Sequence, residues 1–195
     1  MVNNNMPPTT STEFDKFYNS VLHWIWRDVR IPKELKQLVV SCKPGYSLEL
    51  GCGAGLFSEF MAKQGIRATG VDFSKIAIEK AKRRITGKKN QPKFIVSDVS
   101  DLKMLTEPFD VAFDVGCFHC LNESMQQKYA SELYRLLKDN SILLIWALND
   151  SPAGFNLNAD YFAKVFEDGF RLIDSNFSRR RIVSSQWYWL KKIKK

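Results

Sequence analysis

The sequence lacks any long apolar run: the longest, Ile142 to Leu148, has seven residues, whereas a membrane-spanning helix needs about 20. The first eight residues have neither a basic start nor an apolar stretch, so they do not match a signal peptide. We therefore expect a cytoplasmic protein that makes no contact with a membrane. Only four cysteines occur in 195 residues, which favours reduced thiols over a disulfide framework. An apolar content of 45% and a charged content of 26% exclude a disordered or fibrous chain.

Positive charge is in excess, because 29 Lys and Arg face 21 Asp and Glu and give a formal net charge of +8. Such a charge favours contact with nucleic acid or with an anionic substrate. The basic residues of 80–89 lie near the end of a predicted helix, where cations complement the helix dipole. Those of 191–195 fit a solvated C-terminal tail. The charge is therefore compatible with a nucleic-acid partner but does not establish one.

From residue 45 onward, short apolar runs alternate with amphipathic segments. The predicted strands are 47–50, 68–71, 93–97, 109–115, 142–148, 170–176 and 187–193, and the predicted helices are 55–64, 74–86, 122–138 and 159–168. This alternation predicts a Rossmann-like, doubly wound α/β fold: a mainly parallel seven-stranded sheet with helices on both faces. Only about ten residues separate the last two strands, too few for a helical crossover, so the last strand is predicted to be antiparallel.

The N-terminal part of the chain differs in composition from the rest. Residues 1–11 are polar and contain proline, which predicts a disordered tail. Residues 12–44 contain apolar side chains at helical spacing and many aromatics, and a second helix is predicted over 32–41. Two interpretations remain open for this segment: helices packed on the sheet, or a helical lid that closes over a ligand. The candidate substrate contacts of such a lid are Phe14, Tyr18 and Trp24.

A glycine-rich stretch, Glu49-Leu50-Gly51-Cys52-Gly53-Ala54-Gly55, lies where the first predicted strand turns into the first helix. A phosphate-binding P-loop would continue with Gly-Lys-Ser/Thr, but Gly55 is followed by Leu56. A dinucleotide-binding loop requires a third small residue where Leu56 stands. Two acidic residues end the next two strands, Asp72 and Asp98. A carboxylate at the first of these positions can accept both hydroxyls of a ribose.

This acidic-x-Gly-x-Gly-x-Gly arrangement resembles the nucleotide-binding loop of the class I S-adenosylmethionine-dependent methyltransferases. The resemblance covers about residues 45–195 and implies S-adenosylmethionine as the cofactor. It also implies that Asp98 accepts a hydrogen bond from the adenine amino group and that Phe73 and Val99 flank the adenine. The implied cofactor-binding residues are Glu49, Gly51, Cys52, Gly53, Gly55, Asp72, Phe73, Asp98, Val99 and Gly116.

The loop after the fourth strand, Gly116-Cys117-Phe118-His119-Cys120-Leu121, bears on the methyl acceptor. It lacks the Asp/Asn-Pro-Pro-aromatic motif of amino-methylating DNA enzymes and the Pro-Cys of cytosine C5 enzymes. With the preceding strand, it is similar to enzymes that methylate thiols, thiopurines and small heterocycles. His119 is the candidate general base and substrate contact, and its alternative role is to orient the loop. Cys117 and Cys120 lack the second ligand pair that zinc needs, so we expect no metal.

The predicted function is transfer of a methyl group from S-adenosylmethionine to a small molecule, at a thiol, a hydroxyl or a heterocyclic nitrogen. Arg179, with the two arginines that follow it, is a candidate contact for an anionic acceptor because it follows a strand predicted to be parallel. An RNA or protein methyltransferase, a non-catalytic cofactor-binding domain and a dinucleotide oxidoreductase remain as alternatives. The sequence does not fix the oligomeric state.

Overall fold

The computed structural model describes residues 12–13, 15–16, 30–42, 45–178 and 184–194. The strands are β1 (Tyr46–Leu50), β2 (Arg67–Asp72), β3 (Lys93–Val96), β4 (Phe109–Val115), β5 (Leu137–Leu148), β6 (Phe170–Ser178) and β7 (Ser185–Lys192). The helices are α1 (Lys33–Cys42), α2 (Leu56–Lys63), α3 (Lys75–Ile85), α4 (Glu123–Leu136) and α5 (Ala159–Val165), and a 3₁₀ turn spans Phe118–Cys120. Thr12–Glu13 and Asp15–Lys16 are also helical.

The seven strands form one sheet in the order β3-β2-β1-β4-β5-β7-β6. The pairs from β3 to β5 are parallel, and β7 is antiparallel to both of its neighbours. This confirms the predicted sheet, including its antiparallel last strand. The chain leaves β1 toward β2 on one side and later returns to β4 on the other, so a crevice opens beyond the carboxyl ends of β1 and β4. Ligands of doubly wound folds bind at such a switch point.

Both faces of the sheet are buried under helices, as predicted. Successive residues of β5 point to opposite faces. Leu143 and Ile145 belong to the apolar cluster that contains buried residues of α4 and α5. Leu144 and Trp146 belong to a second cluster with buried residues of α1 and α2. Within the described ranges, no helix is long and apolar enough to cross a membrane.

Helix α1 occupies the later part of the segment that was predicted as a helical lid, 12–44. Its Leu35 and Leu38 are fully buried, in one cluster with Val111 and Phe113 of β4. This part of the segment is therefore a helix packed on the sheet, which is the first of the two interpretations. The interpretation as a lid is confined to the residues that precede α1.

Strand β5 begins at Leu137, five residues before the predicted start, and follows α4 without a loop. Lys138, Asp139 and Asn140 are exposed and polar, so this part of the strand has no alternation of apolar and polar residues that a sequence pattern would detect. Leu137 pairs with Phe109, and the register then shifts. Asn140 adopts a φ of 64°, which is typical of the local irregularity at a bulge.

Candidate functional site

The glycine-rich loop makes a tight turn at the carboxyl end of β1. Gly51, Gly53 and Gly55 have φ values of 64°, 51° and 74°, a region that side chains with a Cβ rarely adopt. The amide of Cys52 donates to the carbonyl of Val71 at 2.9 Å, and the amide of Gly55 donates to the carbonyl of Cys52 at 2.9 Å. The glycines therefore make the turn possible, and main-chain hydrogen bonds tie it to β2.

Glu49 is buried in β1 beneath this loop. Its Oε2 accepts from the amide of Ser58 at 2.7 Å and from the Ser58 hydroxyl. Burial raises the pKa of Glu49 to about 8, although the two hydrogen bonds from Ser58 act in the opposite direction. Glu49 thus holds the first turn of α2 against β1, and a direct contact with a cofactor stays a prediction.

Asp72 ends β2 and faces the glycine-rich loop. It is only 5% exposed, and its Oδ2 accepts from the amide of Gly53 at 2.8 Å while its Oδ1 accepts from the amide of Ser74 at 2.9 Å. Burial raises the pKa of Asp72 to about 6 against these two bonds. A carboxylate oxygen has two lone pairs, so with respect to the described residues each oxygen can accept one further hydrogen bond.

The predicted adenine neighbour Phe73 follows β2, and Asp98 and the second predicted neighbour, Val99, follow β3 at the same edge of the sheet. The amide of Ser97 donates to the carbonyl of Asp72 at 3.0 Å, which ties the two strand ends together. Asp98 is exposed, and its Oδ1 accepts from the amide and the hydroxyl of Ser100 at 2.8 Å each. Phe73 is half-buried, whereas Val99 belongs to the buried apolar cluster. The structure thus brings Asp72 to the glycines, and the ligand contacts of the other three stay predictions.

A second loop, after β4, is organised by Asp114. This carboxylate is fully buried: its Oδ1 accepts from the amides of Gly116 at 3.0 Å and Cys117 at 2.8 Å. Its Oδ2 accepts from the amide of Phe118 and from the hydroxyl of Tyr129, both at 3.0 Å. Burial raises the pKa of Asp114 to about 7, although all four hydrogen bonds stabilise the ionised form and act in the opposite direction.

Asp114 was not among the site residues predicted from the sequence. The signal was available, because Asp114, like Asp72, is an acid close to the end of a buried strand.

The two loops touch each other at the crevice. A Cβ on Gly51 would collide with the side chain of Cys117, so only glycine permits this approach. Gly116 has a φ of 102° and lies beside the rings of Trp146 and His119.

Burial raises the pKa of Cys117 far above its ordinary value and that of Cys120 to about 12. Both thiols are therefore protonated near neutral pH and act as packing groups. Among the described residues, His, Cys, Asp and Glu form no group of three or more that could hold a metal ion.

His119 lies in the 3₁₀ turn of this second loop and is only 2% exposed. Its Nδ1 accepts from the amide of Leu148 at 3.4 Å, and its ring meets Trp146 edge-on with the ring centroids 5.9 Å apart. A ring nitrogen that accepts from an amide carries no proton, so the neutral ring has its proton on Nε2. This arrangement supports the orienting role of His119, which ties the loop to the end of β5.

Four of the predicted substrate contacts, Phe14, Tyr18, Trp24 and Arg179, lie outside the described residues. Asp15, however, is described. Its Oδ1 accepts from the hydroxyl of Ser74 and from the amide of Ile76 at 3.5 Å. The N-terminal segment therefore contacts the start of α3, directly after Asp72. Sequence reasoning missed this contact because 59 residues separate its two partners.

Comparison with known proteins finds matches among methyltransferases. The family described as a methyltransferase domain matches residues 48–140. An uncharacterized methyltransferase of Schizosaccharomyces pombe is 28% identical over 104 residues, which are 53% of this chain and 72% of that protein. A ubiquinone biosynthesis O-methyltransferase of Pelagibacter ubique is 38% identical over 122 residues, 60% of this chain and 49% of that protein. The chain thus spans about half the length of this second relative.

Solved structures share the fold. The 1,6-didemethyltoxoflavin-N1-methyltransferase of Burkholderia thailandensis, with bound S-adenosylhomocysteine, has a TM-score of 0.77 at 18% identity over 94% of this chain and 87% of that one. The N-methyltransferase NodS of Bradyrhizobium japonicum, also in complex with S-adenosylhomocysteine, has a TM-score of 0.77 at 16% identity over 96% of this chain and 100% of that one. Together with the sequence matches, this fold supports a class I S-adenosylmethionine-dependent methyltransferase. The same matches indicate S-adenosylmethionine as the cofactor.

Proposed function

We propose that this methyltransferase acts on a small molecule, at a thiol, a hydroxyl or a heterocyclic nitrogen. The observation that carries the proposal is the loop after β4. It is a short 3₁₀ turn held by Asp114 and packed on Gly51, and it contains no motif of the enzymes that methylate DNA bases. The names of two similar proteins agree with it: a 1,6-didemethyltoxoflavin-N1-methyltransferase and a ubiquinone biosynthesis O-methyltransferase.

The donor side of the site fits S-adenosylmethionine. Asp72 lies beside the glycine-rich loop. Among the described contacts, each of its oxygens has one unused acceptor position, and two acceptor positions suit the two hydroxyls of a ribose. The three glycines have no side chains, so the backbone of the loop can approach the ligand closely. Asp98, at the end of the next strand, is the proposed partner of the adenine amino group. When bound, the cofactor supplies a methyl group attached to a positively charged sulfur.

The acceptor side must align a nucleophile with that methyl group. Alignment and exclusion of water can contribute about 7–11 kcal/mol to the lowering of a barrier. In this proposal the positive φ of Gly116 allows the loop to turn at the acceptor edge, and His119 fixes the loop by its bond to Leu148. A thiol or another acceptor that is already ionised near neutral pH needs no general base. We therefore assign His119 an orienting role, because an acceptor that is already ionised has no proton left to remove.

The residues that precede α1 are the proposed lid. The contact of Asp15 with Ser74 supports this, because it anchors the segment at the start of α3, beside the proposed ribose position. Closure of an aromatic segment over the acceptor would exclude water from the transfer. We expect Asp15→Ala to lower turnover and to lower the melting temperature of the ligand-free protein by no more than about 4 °C, since the loss of one part-buried hydrogen bond costs about 1 kcal/mol.

The test of the proposed function is a methyl-transfer screen with labelled S-adenosylmethionine against thiols, phenols, nitrogen heterocycles and total RNA. We expect label in one of the three small-molecule classes and its loss in Asp72→Ala. Label found only in RNA would overturn the proposal.

One observation favours an RNA methyltransferase. Residues 75–93 contain eight Lys and Arg but one acid, so the remaining chain is almost neutral, with 21 basic and 20 acidic residues. RNA binding through this segment would weaken steeply with salt.

A further inference from the structure

Arg84 differs from the other basic residues at the end of α3. Its neighbour Arg83 is 75% exposed, and its described contacts are with Glu79 of its own helix: the carboxylate at 3.8 Å and the carbonyl at 3.4 Å. The Arg84 side chain is 27% exposed and turns inward, and its Nε donates to the carbonyl of Ala54 in the glycine-rich loop at 3.1 Å. A helix-dipole role explains Arg83, but it does not explain a contact 30 residues away in sequence.

This contact holds one particular peptide group. The carbonyl of Ala54 and the amide of Gly55 belong to the same peptide plane. The amide donates to the carbonyl of Cys52 at 2.9 Å, and the carbonyl accepts from Arg84, so the plane is held at both ends. Gly55 lacks a Cβ and turns easily, and without Arg84 only the amide end would resist a change of orientation.

Glu59 keeps the guanidinium in place. Its Oε2 lies 3.8 Å from the Nη1 of Arg84, and its Oε1 lies 2.6 Å from Lys88 and 2.8 Å from Lys63. Burial acts to raise the pKa of Glu59, but the hydrogen bonds from Lys63 and Lys88 outweigh it and hold the pKa below its ordinary value. Glu59 is therefore ionised at neutral pH. Because it lies in the first turn of α2, it links α3 to the helix that the loop begins.

We propose that Arg84 is a positioning residue for the methyl donor. It touches neither donor nor acceptor, but it fixes the Ala54–Gly55 peptide so that the glycine-rich loop is already formed before the donor binds. A loop that is ordered in advance leaves less conformational entropy to be lost on binding. The inference rests on the proposed function only in that the glycine-rich loop is the donor site, and it does not depend on which acceptor is methylated.

The experiment compares Arg84→Gln with Arg83→Gln, which removes the same charge from the adjacent position of the same helix. Three quantities are measured on each full-length protein: the Kd for S-adenosylhomocysteine by calorimetry, the melting temperature without ligand, and hydrogen exchange of the loop amides without ligand. We expect Arg84→Gln to raise Kd about tenfold, which corresponds to about 1.4 kcal/mol, and to speed exchange at Gly55. Arg83→Gln is expected to match the wild type in all three.

Arg84→Lys serves as the milder variant. It keeps the charge near Glu59 but loses the planar group that reaches two partners at once, so we expect a Kd between those of the wild type and Arg84→Gln. An unchanged Kd in Arg84→Gln, or in Arg84→Lys should the glutamine variant not fold, would overturn the proposal, even if the melting temperature falls. If the wild type itself does not bind S-adenosylhomocysteine, the assignment of the glycine-rich loop as the donor site is wrong, and this inference is wrong with it.

Discussion

The loops after β1 and β4 lie side by side at the same edge of the sheet, and each is organised by one buried carboxylate. Asp72 accepts one main-chain amide on each oxygen. Asp114 accepts three main-chain amides and one hydroxyl, so both of its oxygens are fully occupied. Asp72 thus keeps acceptor capacity beside a glycine-lined turn, whereas Asp114 has none left. We infer that the first carboxylate is suited to bind a ligand, whereas the second is fully used in holding its own loop.

The largest expected effect is on stability, at Asp114. Asp114→Asn places an amide NH₂ where the loop presents donors, so at least one buried amide or hydroxyl loses its partner. We expect the free energy of unfolding to fall by about 2–4 kcal/mol, measured by urea denaturation. The exposed Asp101→Asn is the matched control and is expected to change it by less than about 0.5 kcal/mol. Equal effects at the two positions would contradict the role given to Asp114.

Next in size is the effect of Asp72→Ala on donor binding. The variant removes two charge-assisted hydrogen bonds to the proposed ribose hydroxyls, each of about 1.5–3 kcal/mol before the cost of desolvation. We expect Kd for S-adenosylhomocysteine to rise about 100-fold, which corresponds to about 2.7 kcal/mol. Asp101→Ala is the control at the same edge of the sheet. A variant that binds as tightly as the wild type would show that Asp72, like Asp114, only builds its loop.

Both carboxylates also predict a dependence of stability on pH. Their pKa values are raised, to about 6 for Asp72 and about 7 for Asp114, because burial disfavours the ionised form. A raised pKa contributes stability that is complete below the ordinary pKa and is lost as pH rises through the raised value. We therefore expect the melting temperature of the ligand-free protein to fall between pH 5 and pH 7.

Asp114→Asn should make that decline shallower, and the remaining slope should come from Asp72 and from Glu49, whose pKa is also raised, to about 8. Thermal unfolding at half-unit intervals of pH provides the measurement. A slope that is the same in wild type and variant would mean that Asp114 does not titrate in this range.

The smallest predicted effect concerns Tyr129, the one side chain that donates to Asp114 among the described contacts. Tyr129→Phe removes this donor and leaves three amides on the carboxylate, so we expect a loss of about 1.5 kcal/mol in the free energy of unfolding. Tyr161→Phe removes a hydroxyl that donates to the neutral amide of Gln126 at 2.7 Å, and about half that loss is expected. A larger loss in Tyr161→Phe would contradict an ionised Asp114.

The sequence pattern was sufficient to predict features that depend on a single strand, helix or turn. Alternating apolar segments predicted the order of strands and helices, and the glycine spacing with Asp72 predicted the turn after β1. The pattern failed where contacts cross the chain: Arg84 reaches Ala54, and Asp15 reaches Ser74, over separations that no local periodicity encodes. Asp114 was missed for another reason, since an acid at a strand end does not reveal whether its partners are a ligand or its own loop.

The most direct test of the account is calorimetric titration of the wild-type protein with S-adenosylhomocysteine, with NAD titrated in parallel. Both ligands carry an adenosine whose ribose hydroxyls can meet a carboxylate at the end of β2, but only the first belongs to methyl transfer. We expect one S-adenosylhomocysteine bound per chain and an increase in melting temperature that follows its Kd, with no heat from NAD. Binding of NAD without binding of S-adenosylhomocysteine would contradict it.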